Sequence, residues 1–238
     1  MQGRFGRGHG AILPKIRMPG YDRMAVKDAR MTASGPIRTI AREGEFRLEI
    51  KRSRFIARSF KRATAEAALA AVKDVRDAHR DANHNVWAFR VGTTGEQARY
   101  SDDGEPGGTA GPPVLEVLKR SAATNVLLVV TRYFGGIKLG AGGLVRAYGE
   151  AAKSVLAASG LKDLRLMATL EAEVPYPLLA GLERHASREG VEILERRFGE
   201  RVTVAVRLPA ARAAEWRAFH TQLTGGKFDS RVVAESYD

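Results

Sequence analysis

Three carboxylates fall within four residues at Asp102, Asp103 and Glu105. Hard oxygen ligands at that density suit Mg²⁺, and His84 is a candidate general base beside them. Such a set would make the chain a metal-dependent hydrolase acting on a small phosphorylated or nucleotide substrate. Gly104 and Pro106 allow a different reading, a tight turn in which Asp102 caps backbone N–H groups or pairs with Arg132. The five histidines show neither HxxxH nor HExxH spacing, and cysteine is absent. A zinc-thiolate site and a cysteine nucleophile are therefore excluded. Neither a closed ligand set nor a nucleophile–base pair can be named, so the expectation is no catalytic residue, no metal and no cofactor, with Asp102, Asp103, Glu105 and His84 as weak candidates.

A second set suits binding. Ten of the 25 glycines lie between Gly104 and Gly149, and the block TRYFGGIKLGAGGLVRAYGEA from Thr131 runs from an apolar strand through a glycine-rich loop into a helix. Backbone N–H groups at that helix start, with Lys138 and Arg146 beside them, can hold an anion. The block has no Gly-Lys-Ser/Thr and is not a Walker loop. Arg132 and Tyr133 add a cation and a ring suited to holding phosphate while stacking on a base. Upstream, Arg47, Lys51, Arg52, Arg54, Arg58, Lys61 and Arg62 spread seven cations over two strands, with Glu49 opposing them. The expected anion or nucleic-acid residues are Arg132, Tyr133, Gly135, Gly136, Lys138, Gly140, Arg146, Lys51 and Arg54. The plainer alternative is that the glycines serve helix-to-sheet packing, the cations a solvated face and Tyr133 the core.

The elements that position these residues follow from periodicity. Phe46, Leu48 and Ile50 alternate with charged residues, and Phe55 to Phe60 continues after a turn at Arg52 and Ser53, which predicts an antiparallel pair. Thr64 caps a helix carrying Ala65, Ala68, Leu69, Val72 and Val75 on one face. Residues 85–91 and 126–133 read as strands, 101–113 as a loop, 114–121 as a short helix, and a longer helix starts near Gly143. Beyond residue 160 the segments 165–174, 178–187, 191–198, 201–208, 213–223 and 228–236 alternate as β-α-β-β-α-β, the ferredoxin-like order.

The formal charge of +12 is confined to residues 1–160, because residues 161–238 hold twelve basic and twelve acidic side chains. A basic half suits phosphate backbones or acidic partners, and a genome-wide preference for arginine is the competing explanation. Residues 1–36, with seven basic and two acidic residues, read as a disordered extension, and Met31 is a candidate start. No apolar run approaches the ~20 residues that span a bilayer, and the absence of cysteine fits a cytoplasmic location.

SDDGEPGGTAGPP from Ser101, VVTRYFGGIKLGAGGLVRAYG from Val129, DANHNVWAFR from Asp81 and IKRSRFIA from Ile50 together resemble the YigZ/IMPACT family. The likeness runs from about Phe46 to Ser159. It implies an α+β protein with an IMPACT/YigZ-type domain over 37–160 followed by a ferredoxin-like domain over 161–238; the extension over 1–36 is outside the family's pattern. The first domain would share the β-α fold of a small-subunit ribosomal protein and of elongation factor G domain IV. Val86 departs from the family, which often has cysteine there, and nothing matches the additional amino-terminal domain of eukaryotic members. The resemblance implies regulation of translation. RNA or a ribosomal component is the expected partner, no DNA-specific motif is present, and a protein-interaction module using an open ferredoxin-like sheet remains the other binding reading.

Overall fold

A computed structural model describes residues 35–238. The basic extension, apart from its last two residues, and the candidate start at Met31 lie outside the described residues. In chain order the elements of the first half are β1 (Ile37–Ile40), β2 (Gly44–Ile50), β3 (Ser53–Lys61), α1 (Ala65–Ala78), β4 (His84–Val91), β5 (Gln97–Ser101), α2 (Gly111–Arg120), β6 (Val126–Tyr133), α3 (Ala141–Ser159) and β7 (Leu161–Leu164). Then come β8 (Leu166–Val174), α4 (Tyr176–Arg188), β9 (Glu192–Phe198), β10 (Val202–Pro209), α5 (Ala213–Thr224) and β11 (Ser230–Tyr237).

The first sheet has the order β2-β3-β6-β4-β5, with antiparallel neighbours throughout. Its centre is β6, buried along its length except at Tyr133. Side chains alternate across a strand. Leu128 and Val130 accordingly join Phe55, Val86, Leu144, Tyr148 and Val155 under α2 and α3, whereas Leu127 and Val129 join Trp87, Phe89, Val72 and Val75 under α1. Helix α1 packs on β4 and β6. The same face over β2 and β3 stays open and presents Arg47 and Arg54 to solvent.

Helix α1 starts as the sequence indicates, with Thr64 Oγ1 accepting from Ala67 N at 3.2 Å, but Leu69 points outward and is exposed. Helix α2 starts earlier than its periodicity suggests, because Pro112 and Pro113 occupy the first turn, where a missing N–H is harmless. Strand β5 pairs with β4, and β1 pairs with β7 to form a two-stranded ribbon whose Ile40 enters the first core.

The second sheet has the order β11-β8-β10-β9 in a β-α-β-β-α-β chain, as the ferredoxin-like reading requires. Leu170, Ala172, Val204 and Val206 pack beneath Leu182 and Trp216. Glu171 pairs with Arg231 on neighbouring β11 and with Arg197 on β9 across β10, and Glu173 pairs with Arg201 at 3.4 Å, so ion pairs tie the strands of this sheet together.

Candidate nucleic-acid interface

The segment from Ser101 to Gly111 is held by its own acids. Asp102 accepts from Gly108 N, Ala110 N and Gly111 N at 2.9, 3.0 and 2.8 Å. It thereby caps α2 from eight or nine residues upstream, in place of Ala110, which has no capping side chain. Burial opposes ionisation of Asp102, but the three N–H donors outweigh it and hold its carboxyl below the usual range. Asp103 sits at φ 46°, pairs with Arg76 and accepts from Asn85 N at 2.6 Å. Its carbonyl lies 2.8 Å from His84 Nδ1.

Glu105 turns inward, 7% exposed, toward an equally buried Arg132, 5% exposed. Arg132 Nη1 donates to Glu105 Oε1 at 2.7 Å, and Tyr148 Oη donates to the same oxygen at 2.7 Å. Burial and the Glu105 carboxylate push the Tyr148 phenol far above its ordinary pKa, so it remains a donor. Arg132 Nη2 also reaches Ser53 Oγ at 3.3 Å, and His84 Nε2 lies 3.9 Å from Glu105 Oε2. The three carboxylates thus diverge and each has partners. Among the described residues no group of three or more His, Asp or Glu is placed to hold a metal ion. Glu105, rather than Asp102, pairs with Arg132. Arg132 itself is a buried structural cation and cannot be the surface group expected beside Tyr133.

Around this network an exposed basic edge is assembled. Strands β2 and β3 meet in a two-residue turn, Lys51 at φ 48° and Arg52 at φ 63°. The type I′ turn that this describes normally uses Asn or Gly, since left-handed backbone strains larger side chains. The turn abuts the loop after β6. A β-carbon at Gly135 would sit 2.1 Å from the Arg52 carbonyl carbon and oxygen, so glycine is required for the approach. Gly135 N donates to Ser53 Oγ at 3.2 Å, which makes Ser53 the pin between the turn, the loop and Arg132.

Gly136 at φ 84° faces open space, Lys138 is exposed, and Gly140 at φ 74° opens α3 with no capping side chain. Arg146 emerges one turn into the helix, where its Nη1 would lie 3.7 Å from a β-carbon at Gly142. Arg54 lies over the Tyr133 ring, 4.8 Å from its centre, while Phe134, next in the chain, is 45% exposed and has Arg132 5.5 Å from its ring centre. Tyr133 Oη is 2.8 Å from His79 Nδ1 and 3.2 Å from Asp81 Oδ1.

Of the seven cations on the first two strands of this sheet, three are neutralised. Glu45 holds Arg47 at 2.7 Å and Arg58 at 2.8 Å, and Glu43 holds Arg62 at 2.6 Å. Lys61 stands at the far end of β3. Lys51, Arg52 and Arg54 remain at the turn, and among the described residues neither they nor Lys138 and Arg146 enter an ion pair. Ser53, Phe134 and Tyr148 were not expected site residues. A phenol within the apolar stripe of α3 was the available signal for Tyr148, because a buried Tyr O–H needs a partner.

The Impact N-terminal domain family matches residues 51–156, and a second family, described as a domain of unknown function (DUF1949), matches residues 173–227. The IMPACT family member YvyE of Bacillus subtilis (strain 168) is 35% identical over 199 residues, which span 84% of this chain and 92% of that protein. The IMPACT family member YigZ of Escherichia coli (strain K12) is 36% identical over 189 residues, 79% of this chain and 93% of that one. A crystal structure of a hypothetical protein aligns over 85% of this chain and 100% of its own, with TM-score 0.59 and 33% identity. Likeness of this extent shows that the chain belongs to the IMPACT family.

Proposed function

We propose that this chain is a translation-associated RNA-binding protein, acting in the cytoplasm on RNA or a ribosomal component through the edge formed by the β2–β3 turn and the loop from Gly135 to Gly140. The observation that carries the reading is that Lys51, Arg52 and Arg54 at the turn, Lys138 in the loop and Arg146 in α3 stand without ion pairs while Asp102, Asp103 and Glu105 are engaged elsewhere. Glu49 faces Arg54 across the strand pair, yet no ion pair joins them. Arg54 instead lies on the Tyr133 ring, and the exposed ring of Phe134, next in the chain, packs against Arg132. Cations that track phosphates next to rings that accept bases are the combination single-stranded RNA uses. The family supplies the setting of translation, and the surface supplies the class of ligand.

Lys51→Ala, Arg54→Ala and Lys138→Ala together should weaken binding of a single-stranded RNA oligonucleotide by roughly a hundredfold at low salt, with the melting temperature little changed. Fluorescence anisotropy and co-sedimentation with ribosomes measure this. Unchanged affinity in the triple variant would remove the edge as the binding surface.

A further inference from the structure

A groove of about 1140 Å³ runs between α2, α3 and the β2–β3 turn. It is larger than the ~300–1,000 Å³ typical of small-molecule pockets. Residues of α3 from Gly143 to Ala157 line it turn after turn, a trough of about 20 Å at 1.5 Å per residue. Its floor is aliphatic: Ile50, Val117, Leu139, Val145, Leu156 and Leu161, of which Val145 and Leu161 are each 42% exposed.

The rim is basic. Lys51, Arg120, Arg146 and Lys153 stand around it, with Glu150 the acid among the lining residues. Arg120 pairs with Glu116 at 2.9 Å, while Lys51, Arg146 and Lys153 enter no ion pair among the described residues. No aromatic residue lines the groove, so it offers no platform for a nucleotide base. Residues 1–34 match the rim in sign, with seven basic and two acidic side chains, and are therefore a poor occupant.

We propose that this groove docks an acidic amphipathic helix of a protein partner, its apolar face on the floor and its carboxylates against Lys51, Arg120, Arg146 and Lys153. Length, floor and rim fit the helix-in-groove mode, in which apolar residues at successive turns anchor the partner and charge sets its orientation. The site goes beyond the RNA edge, and Lys51 and Arg146 lie on the border of both. Gly149 and Lys153 belong to the groove alone and separate the two. A β-carbon at Gly149 would meet nothing within 4 Å, so a larger side chain fits the helix and projects into the trough.

The test titrates the full chain with a designed, labelled peptide of about four helical turns, leucines along one face and glutamates on its flanks. A second peptide carries lysines in place of the glutamates. Micromolar binding of the acidic peptide is expected, about tenfold weaker in Gly149→Leu and in Lys153→Glu, with the basic peptide bound about tenfold more weakly than the acidic one. Amide shifts on titration should map to α2 and α3. Lys153→Glu changes an exposed side chain and keeps the test decisive if Gly149→Leu misfolds. No binding of the acidic peptide, equal binding of both peptides, or insensitivity to Lys153→Glu would overturn the proposal. Loss of RNA binding in Gly149→Leu, with the peptide unaffected, would assign the groove to RNA instead. Failure of either site leaves the other standing.

Discussion

At the scale of single residues, the buried ion pair organises the site and the acid at the α2 start tunes it. Truncating one partner of a buried pair strands the other charge at a cost of about 3–5 kcal/mol, so Arg132→Ala reports on folding and not on ligand binding. Asp102 is more tractable. Its carboxyl is depressed below the ordinary value near 4, so its contribution is complete at neutral pH and is lost as pH falls below about 4 toward the folded-state value. Asp102→Asn should therefore lower stability by about 1 kcal/mol at pH 7, and the gap from the parent should narrow at pH 3 in urea unfolding. A constant gap would mean that its N–H contacts do not depend on charge. The capping role was legible, since Gly104, Pro106 and an acid spell a turn. The partner of Glu105 was not: residues 105, 132 and 148 meet only when three elements converge, and no local spacing encodes that.

At the scale of elements, the strained β2–β3 turn is the most informative. Lys51 and Arg52 occupy left-handed backbone where glycine would be relaxed. Arg52→Gly should raise stability by about 1 kcal/mol, while RNA affinity falls severalfold from the lost cation. Thermal melts alongside anisotropy would show the two moving in opposite directions, and a variant that binds as well as the parent would detach the turn from function. Strand β6 is readable as an unbroken apolar run buried on both faces, and α3 and the ferredoxin-like segments are readable because their apolar spacing matches a buried face. Strand β5 was not, because Gln97 to Tyr100 is exposed and carries no alternation. Strands β1 and β7 are not legible for another reason: each is four residues long, and its strand partner lies more than 120 residues away.

At the scale of the whole molecule, charge and fold divide the work. Residues 37–160 hold twenty basic and thirteen acidic side chains, and residues 161–238 balance at twelve each. The second sheet spends its charges on cross-strand pairs such as Arg197 and Arg231 with Glu171, whereas the first half keeps the turn and loop cations free of ion pairs. The surplus was countable from sequence, but its location was not. The seven cations on two strands are equivalent in sequence, but Glu43 and Glu45 neutralise three of them in the fold. No helix among the described residues is long and apolar enough to cross a membrane.

The most direct test of the basic edge is the salt dependence of RNA binding. Affinity of the full chain and of the Lys51, Arg54 and Lys138 triple alanine variant would be measured between about 50 and 200 mM salt. Each phosphate contact to a single strand adds about 0.7 to the log–log slope, so the account predicts a slope shallower by about 2 in the variant. Equal slopes would place the phosphate contacts elsewhere on the molecule and contradict it.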